Sequence, residues 1–201
     1  MAVTPVTEVL QSPPFLKVFI VSDKRKGTPV FRWEQIERPA ATAAGFILLS
    51  GQIADRVHQL LMLYGNMRSD IDFNSLDYQM SQDPREPQRI ICHNAAMYAA
   101  GLVDYPNQGG HFAEAYRGLE EMLTYEKQRP PAVVHLLREK ISPAAIHTAN
   151  ERICPHTVLY IGDLRGEKVC FQKHIFGAAS IGFLRNAERK YGTQHRLWVN
   201  A

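Results

Sequence analysis

The chain has 201 residues, of which 45% are hydrophobic and 21% are charged, and its formal net charge is +3. This length suffices for a buried core, and the composition is that of a folded globular protein rather than a disordered or fibrous one. The N-terminal segment MAVTPVTEVLQSPP has neither a basic nor an apolar stretch, so it does not predict a secretion signal. Three cysteines cannot form a disulfide framework, and we therefore expect a reducing cytoplasm.

Two strand-like segments near the N-terminus predict a β-hairpin. They are Phe15–Ser22 and Thr28–Ile36, and the loop between them ends in Gly27, which can adopt a positive φ. We expect residues 1–37 to form an N-terminal arm and this hairpin.

An apolar stripe within residues 40–67 predicts a central helix. Its members recur at steps of three or four residues: Phe46, Leu49, Ile53, Val57, Leu60 and Tyr64. Gln52 and Arg56 fall on the opposite, polar side, where a DNA-binding helix would present side chains to bases or phosphates. Any amphipathic helix has this pattern, so an ordinary core helix is the alternative.

Further helices are predicted over 88–103 and 111–127, and a short one over 144–153, from apolar residues at helical spacing. Pro131 suits a first helical turn ahead of the apolar run 133–137, and Ser142 suits the cap of the short helix. We expect residues 38–153 to form a helical domain.

The segment Cys154–His174 predicts a second β-hairpin, with Gly166 in the αL position of a three-residue loop that pairs Asp163 with Glu167. One face should carry Leu159, Ile161, Val169 and Phe171, and the other Cys154, His156, Tyr160, Cys170 and His174. An amphipathic helix over 177–191 should follow and end at Gly192. The predicted fold class is α+β and mostly helical, with central helices, the N-terminal hairpin, and a ribbon-like hairpin plus basic helix in residues 154–201.

Four side chains of this hairpin are candidate metal ligands: Cys154, His156, Cys170 and His174. Two Cys/His pairs on a hairpin suggest a structural zinc ribbon, because tetrahedral zinc takes thiolate and imidazole ligands. The spacing opposes this, since four residues of extended strand cover about 13 Å, so the backbone would have to fold into knuckles. Buried cysteines and surface histidines without zinc are the alternative.

Basic residues are concentrated in the last part of the sequence. From Leu164 to Ala201 there are seven Lys or Arg residues and two Glu, which favours an acidic partner such as nucleic acid. A solvated terminal helix is the alternative. The candidate phosphate contacts are Arg165, Arg185, Arg189, Lys190 and Arg196.

The sequence contains no P-loop, dinucleotide fingerprint, GxSxG or HExxH motif, and a non-enzyme is the favoured interpretation. Cys92 and His93 are adjacent, but neighbours on a helix point about 100° apart, so they do not form a catalytic dyad by themselves. An enzyme that uses Cys92, His111 or the Cys/His set of 154–174 is an alternative.

The order of several motifs resembles the FlhC-like family of flagellar master regulators, including its relatives on conjugative elements. The motifs are LLMLYGNM, FNSLDY, IICHNA and EAYRGLEEM, followed by a Cys pair that opens a ribbon and by a basic tail. The resemblance implies a DNA-binding transcriptional activator subunit that acts with a small helical FlhD-like partner. It also implies zinc at Cys154 and Cys170, with His156 and His174 replacing two cysteines. A helical nucleoprotein or assembly protein without sequence specificity is the alternative.

Overall fold

The computed structural model describes residues 15–22, 29–37, 45–65, 92–104, 120–149, 152–174 and 178–199. Strand accounts for 43% of this part of the chain and helix for 30%. The prediction of a mostly helical protein is therefore wrong. The described chain is mostly β and is built on two antiparallel sheets.

Three strands form the smaller sheet, in the order β2–β1–β3. They are β1 (Phe15–Ser22), β2 (Pro29–Ile36) and β3 (Phe46–Leu49). β1 and β2 form the hairpin that the sequence predicts, with Ser22 paired to Pro29. Leu16 and Val18 are buried, which is the period-two alternation expected of a strand with one face on a core.

β3 lies inside the predicted central helix, and that part of the prediction is wrong. Its four residues pair with β1, Leu49 opposite Leu16. A short run that is apolar all round fits a buried strand as well as a helix, so periodicity does not separate the two. The positive φ of Gly45 and Gly51 isolates the strand from its neighbours.

Two α-helices follow in the described chain. α1 is Gly51–Tyr64, the true extent of the central helix, and α2 is Cys92–Ala99, within the helix predicted over 88–103. Arg56 was expected on the exposed polar side of α1 but is buried. Among the described helices, none combines the length and the apolar character needed to cross a membrane.

The larger sheet has six strands in the order β4–β9–β5–β6–β7–β8. They are β4 (Leu123–Thr124), β5 (Ala132–Leu137), β6 (His156–Leu164), β7 (Glu167–Lys173), β8 (Ala179–Phe183) and β9 (His195–Val199). β5 corrects the helix expected after Pro131. All six of its residues are buried because it lies between β9 and β6 with both faces covered.

Three other predicted helices differ from the structure in their described parts. Residues 111–119 of the helix over 111–127 lie outside the described residues, and its last part is the 3₁₀ turn Glu120–Met122 followed by β4. The helix over 144–153 is the 3₁₀ helix Pro143–Thr148, and Ser142 makes no side-chain capping bond. The helix over 177–191 begins only at α3 (Leu184–Tyr191), after β8, and it ends at Gly192 with φ 65° as predicted.

The predicted hairpin of β6 and β7 is confirmed, with a different turn. Leu164 pairs with Glu167, so Arg165 and Gly166 form a two-residue turn with positive φ at both positions. Leu159, Ile161, Val169 and Phe171 share the main core as predicted. Cys154 joins that core instead of lying on the opposite face.

The main core lies between the two sheets and includes the buried faces of α1 and α2. It contains Leu16, Val57 and Phe171, so all three predicted segments contribute to one core. A second, smaller core lies on the other side of the larger sheet, where α3 covers it.

Candidate functional site

Three buried side chains of the kinds that bind metal ions converge beneath α2. One ligand atom from each of His93, His135 and Cys154 lies within 4.8 Å of those of the other two. α2 supplies His93, the middle of β5 supplies His135, and Cys154 comes two residues before β6. We call these three residues the inner triad, and the group could hold a metal ion.

The hydroxyl of Thr157 lies at the centre of the inner triad. Its Oγ1 is 2.9 Å from Nδ1 of His135 and also hydrogen-bonds Nδ1 of His93 and the thiol of Cys154. Thr157 pairs with His135 across β5 and β6, so the sheet register places the two side chains on one face. A hydroxyl has one proton to donate and two lone pairs, and it can therefore serve all three neighbours.

Burial sets the protonation states of the inner triad. It lowers the pKa of His135 to about 3, and burial together with His135 holds the pKa of His93 well below its usual range. Burial, followed by the nearby Cys92, raises the pKa of the Cys154 thiol. Both imidazoles are therefore neutral, which is the form that ligates a metal, and the thiol keeps its proton until a cation replaces it.

A second polar group lies at the same end of the larger sheet, and we call it the outer cluster. Its members are His156, Gln172, His174 and Tyr191, together with Cys92, whose thiol lies within electrostatic range of Tyr191. The ring of His156 stacks on Tyr191, with centroids 4.2 Å apart, and on His174 at 5.4 Å. Because these side chains come from α2, β6, β7, the residue after β7 and α3, the site exists only in the folded chain.

Hydrogen bonds fix the orientation of the two imidazoles in the outer cluster. Nε2 of His156 lies 3.2 Å from Oε1 of Gln172, and Nδ1 of His174 lies 2.7 Å from the hydroxyl of Tyr191. An amide oxygen only accepts hydrogen bonds, so Nε2 of His156 carries the proton and Nδ1 has the lone pair. Burial, followed by the charge of Lys190, lowers the pKa of His174 to about 4, and burial lowers that of His156 as well.

Cys92 is the first described residue of α2 and is 3% exposed. Its thiol lies within electrostatic range of three other groups, because it raises the pKa values of Cys154, Tyr191 and Lys173. α2 packs across β6 and β7.

Lys173 is a buried cation beside the outer cluster. It is 5% exposed, and its Nζ donates a 2.8 Å hydrogen bond to the carbonyl of His174. The same Nζ lies 5.1 Å from the ring centroid of Tyr64. Burial lowers the pKa of Lys173 to about 8, with the Cys92 thiol acting in the opposite direction. Lys173 therefore places a positive charge near the thiol at neutral pH.

The four predicted metal ligands do not come together in one site. His156 and His174 are neighbours in the outer cluster, Cys154 belongs to the inner triad, and Cys170 packs in the smaller core under α3. The sequence argument missed His135. Its one signal was a histidine in the middle of the apolar run AVVHLL.

The residues predicted to contact DNA lie in different environments. Gln52, Arg165, Arg189 and Lys190 are exposed. Arg56 is buried and donates hydrogen bonds to two backbone carbonyls.

The other two predicted DNA contacts are engaged in ion pairs. Nη1 of Arg185 lies 2.6 Å from Oε1 of Glu167, and Arg196 forms a bidentate pair with Glu188. His111, the other residue considered for an enzyme, lies outside the described residues. Ion pairing within the chain reduces the positive charge that this surface offers to a phosphate.

Comparison of the chain with protein-family models, curated proteins and solved structures found no match. The resemblance to the FlhC-like family therefore stays a prediction.

Proposed function

We propose that the chain is a cysteine-dependent acyl-transfer enzyme, in which Cys92 is the nucleophile and His156 is its general base. The observation that carries the proposal is the hydrogen bond between Nε2 of His156 and Oε1 of Gln172. It places the proton on Nε2 and directs the basic lone pair to Nδ1. A cysteine, a histidine and an amide side chain that orients the imidazole are the groups of the Cys-His-Asn proteases.

The position of Cys92 supports a reactive thiolate. Lys173 supplies a nearby cation, which favours the thiolate. Tyr191 connects Cys92 with His156, because the Cys92 thiol raises the pKa of Tyr191 and the Tyr191 ring stacks on the ring of His156.

The proposed reaction needs no other oxidant or cofactor. Nδ1 of His156 takes the thiol proton, and Sγ of Cys92 bonds to the acyl carbon of the substrate. The bond to the leaving amine or alcohol then breaks, and His156 returns the proton to that group. Water, activated by the same imidazole, hydrolyses the thioester and restores the thiol.

DNA binding with a small helical partner stays a prediction and is less favoured by the described contacts. Arg56 binds backbone carbonyls inside the protein, and Arg185 and Arg196 are engaged with glutamates. A charged side chain that is already ion-paired gains less binding free energy from a phosphate contact than a solvated side chain does. The nucleoprotein alternative depends on the same basic surface.

A second proposal concerns the ion for the inner triad. We infer that this ion is zinc, because one thiolate and two imidazoles match the ligand preferences of zinc better than those of magnesium or calcium. Zinc also has no redox chemistry that would endanger the buried thiol of Cys154.

The enzyme proposal can be tested without knowing the substrate. Purified protein is treated with iodoacetamide, and the labelling rate of each cysteine is followed by mass spectrometry. We expect Cys92 to react at least tenfold faster than Cys154 and Cys170, and His156→Ala to slow Cys92 by a factor of ten or more. Cys170→Ala is the matched control and should leave the Cys92 rate unchanged.

Equal labelling of all three cysteines, or a Cys92 rate that does not depend on His156, would contradict the proposal. If the reactivity is confirmed, a panel of fluorogenic amides and esters defines the acyl group. Turnover must then disappear in Cys92→Ala.

A further inference from the structure

The inner triad and the outer cluster are connected through the backbone at two points. His93 follows Cys92 on α2, and Cys154 comes two residues before His156. Successive side chains on a helix point about 100° apart. His93 joins the inner triad, and the Cys92 thiol lies within electrostatic range of both Cys154 and Tyr191. Any force that draws His93 and Cys154 together therefore also fixes the backbone of Cys92 and His156.

We propose that a metal ion bound by the inner triad fastens α2 to β5 and to the segment just before β6, and thereby sets the spacing of Cys92 and His156. The positioning role rests on the proposed function, whereas the metal site itself does not. The ion would act on Cys92 and His156 only through the backbone segments that they share with His93 and Cys154.

The arrangement of the triad suits a closed, structural site. His93, His135 and Cys154 are 6%, 0% and 1% exposed, so an ion between them would be enclosed by protein, as in structural sites. Tetrahedral bonds of 2.0–2.3 Å separate the ligand atoms of a zinc ion by about 3.3–3.8 Å. The present separations, up to 4.8 Å, need a contraction of roughly 1 Å. The Thr157 hydroxyl or a water molecule completes the coordination.

A purely hydroxyl-centred hydrogen-bond network is the competing explanation for the same three side chains. Thr157 Oγ1 already bonds to His93, His135 and Cys154. The two explanations differ in what they predict for metal content. A network needs no ion, whereas a structural site retains its zinc through purification because such sites contribute directly to folding.

The first experiment measures bound metal in the full chain by inductively coupled plasma mass spectrometry. We expect about one zinc per chain in wild type and less than a tenth of that in Cys154→Ala and His135→Ala. Cys170→Ala is the matched control, because it removes an equally buried thiol on the other side of the sheet and should keep the zinc.

The second experiment uses wild type only, so it does not depend on the folding of variants. Zinc is removed with 1,10-phenanthroline and then restored, and hydrogen exchange of the α2 amides is measured in each state. We expect exchange in α2 to become at least tenfold faster without zinc and to recover when zinc is added. Labelling of Cys92 by iodoacetamide should slow and recover in parallel.

The outcomes separate the two proposals. Wild type without zinc that also gains no thermal stability from added zinc chloride would overturn the metal site. Bound zinc whose removal leaves exchange in α2 unchanged would overturn the fastening role. Bound zinc that protects α2 while Cys92 stays inert supports the metal site and overturns the enzyme.

Discussion

The guanidinium of Arg56 lies over the ring of Tyr98, 4.5 Å from its centroid, and donates a 2.9 Å hydrogen bond to the Tyr98 carbonyl. The same Nη1 donates to the carbonyl of Val103 at 2.7 Å. The last carbonyls of a helix have no partner within it. The Tyr98 carbonyl also accepts from the backbone N–H of Gly101, and Arg56 adds a charged donor from α1 that ties α1 to the end of α2 and to the segment after it.

Replacement of Arg56 by methionine should destabilise the fold. Methionine keeps much of the apolar volume but leaves two carbonyls without their charged donor, and hydrogen bonds to charged groups contribute about 1.5–3 kcal/mol each. We expect the free energy of unfolding in urea to fall by about 2–3 kcal/mol. Gln52→Ala, on the exposed side of the same helix, should stay within about 0.5 kcal/mol. A similarly small loss for Arg56→Met would contradict this role.

Gly162→Ala should disturb the contact between the two sheets. Gly162 has φ +147°, and a Cβ there would lie 3.1 Å from Cγ1 of Ile47 in β3. Backbone strain and overpacking each cost about 1–3 kcal/mol, so we expect a loss of at least about 2 kcal/mol in urea denaturation.

Two controls separate the causes of the Gly162 effect. Gly166→Ala has φ +77° but no atom within 4 Å of the added Cβ, so only the strain remains. Ile47→Ala removes the steric partner, and Gly162→Ala should cost less in that background than in wild type. Equal costs in both backgrounds would show that contact with Ile47 does not matter.

Cys170 should make stability depend on alkaline pH. Burial raises the pKa of its thiol from 9.0 to about 12. Between these values the unfolded chain loses the proton while the folded chain keeps it, so the unfolded state binds fewer protons and stability falls as pH rises. We expect the free energy of unfolding of Cys170→Ala, relative to that of wild type, to rise by about 1.4 kcal/mol per pH unit above pH 9.

Urea denaturation of both proteins between pH 8 and 10.5 measures that difference. The comparison of two proteins is needed because Lys173, whose pKa is lowered to about 8, contributes with the opposite sign over much of this range. A difference in unfolding free energy between the two proteins that stays constant over this pH range would contradict the prediction.

Gln172→Ala should lower the reactivity of Cys92 through its effect on His156. The change removes the acceptor that holds the proton of His156 on Nε2, so the imidazole loses its orientation. We expect alkylation of Cys92 to slow about tenfold, within the range of general-base contributions. In a His156→Ala background the same change should have little further effect, because the two residues act as one unit. Additive effects would indicate that Gln172 acts on stability instead.

The DNA-binding prediction has its own measurement. If Arg165 and Arg189 contact phosphates, the logarithm of the affinity for duplex DNA falls linearly with the logarithm of salt concentration. Each replacement by alanine should reduce that slope by about 0.9. A flat salt dependence would remove the phosphate contacts, and equal affinity for unrelated duplexes would favour the nucleoprotein alternative over an activator.

The two hairpins were predictable because their signals are local. Alternating apolar residues and a glycine at each turn define β1–β2 and β6–β7 in the sequence. β5 was missed for the opposite reason. A central strand that is buried on both faces shows no alternation, and its apolar run resembles a buried helix.

The candidate sites depend on contacts between distant parts of the sequence. His93 and His135 meet because β5 and β6 pair in the register that puts Thr157 opposite His135, beneath α2. No local pattern encodes this. Cys154 and His156 were selected together because they share a motif, yet they belong to two different groups. Residue type alone identified side chains that could bind a metal or react. Only the pairing of the strands showed which of these side chains are neighbours.

β9 comes last among the described strands but takes a place inside the larger sheet, between β4 and β5. During synthesis on the ribosome, β5 can pair with β6 as soon as the hairpin emerges, but its other edge has no strand to bond until residues 195–199 are released. An open edge next to a buried apolar strand can recruit a second nascent chain. Insertion of β9 beside β5 therefore covers the open edge of β5 and removes this aggregation hazard.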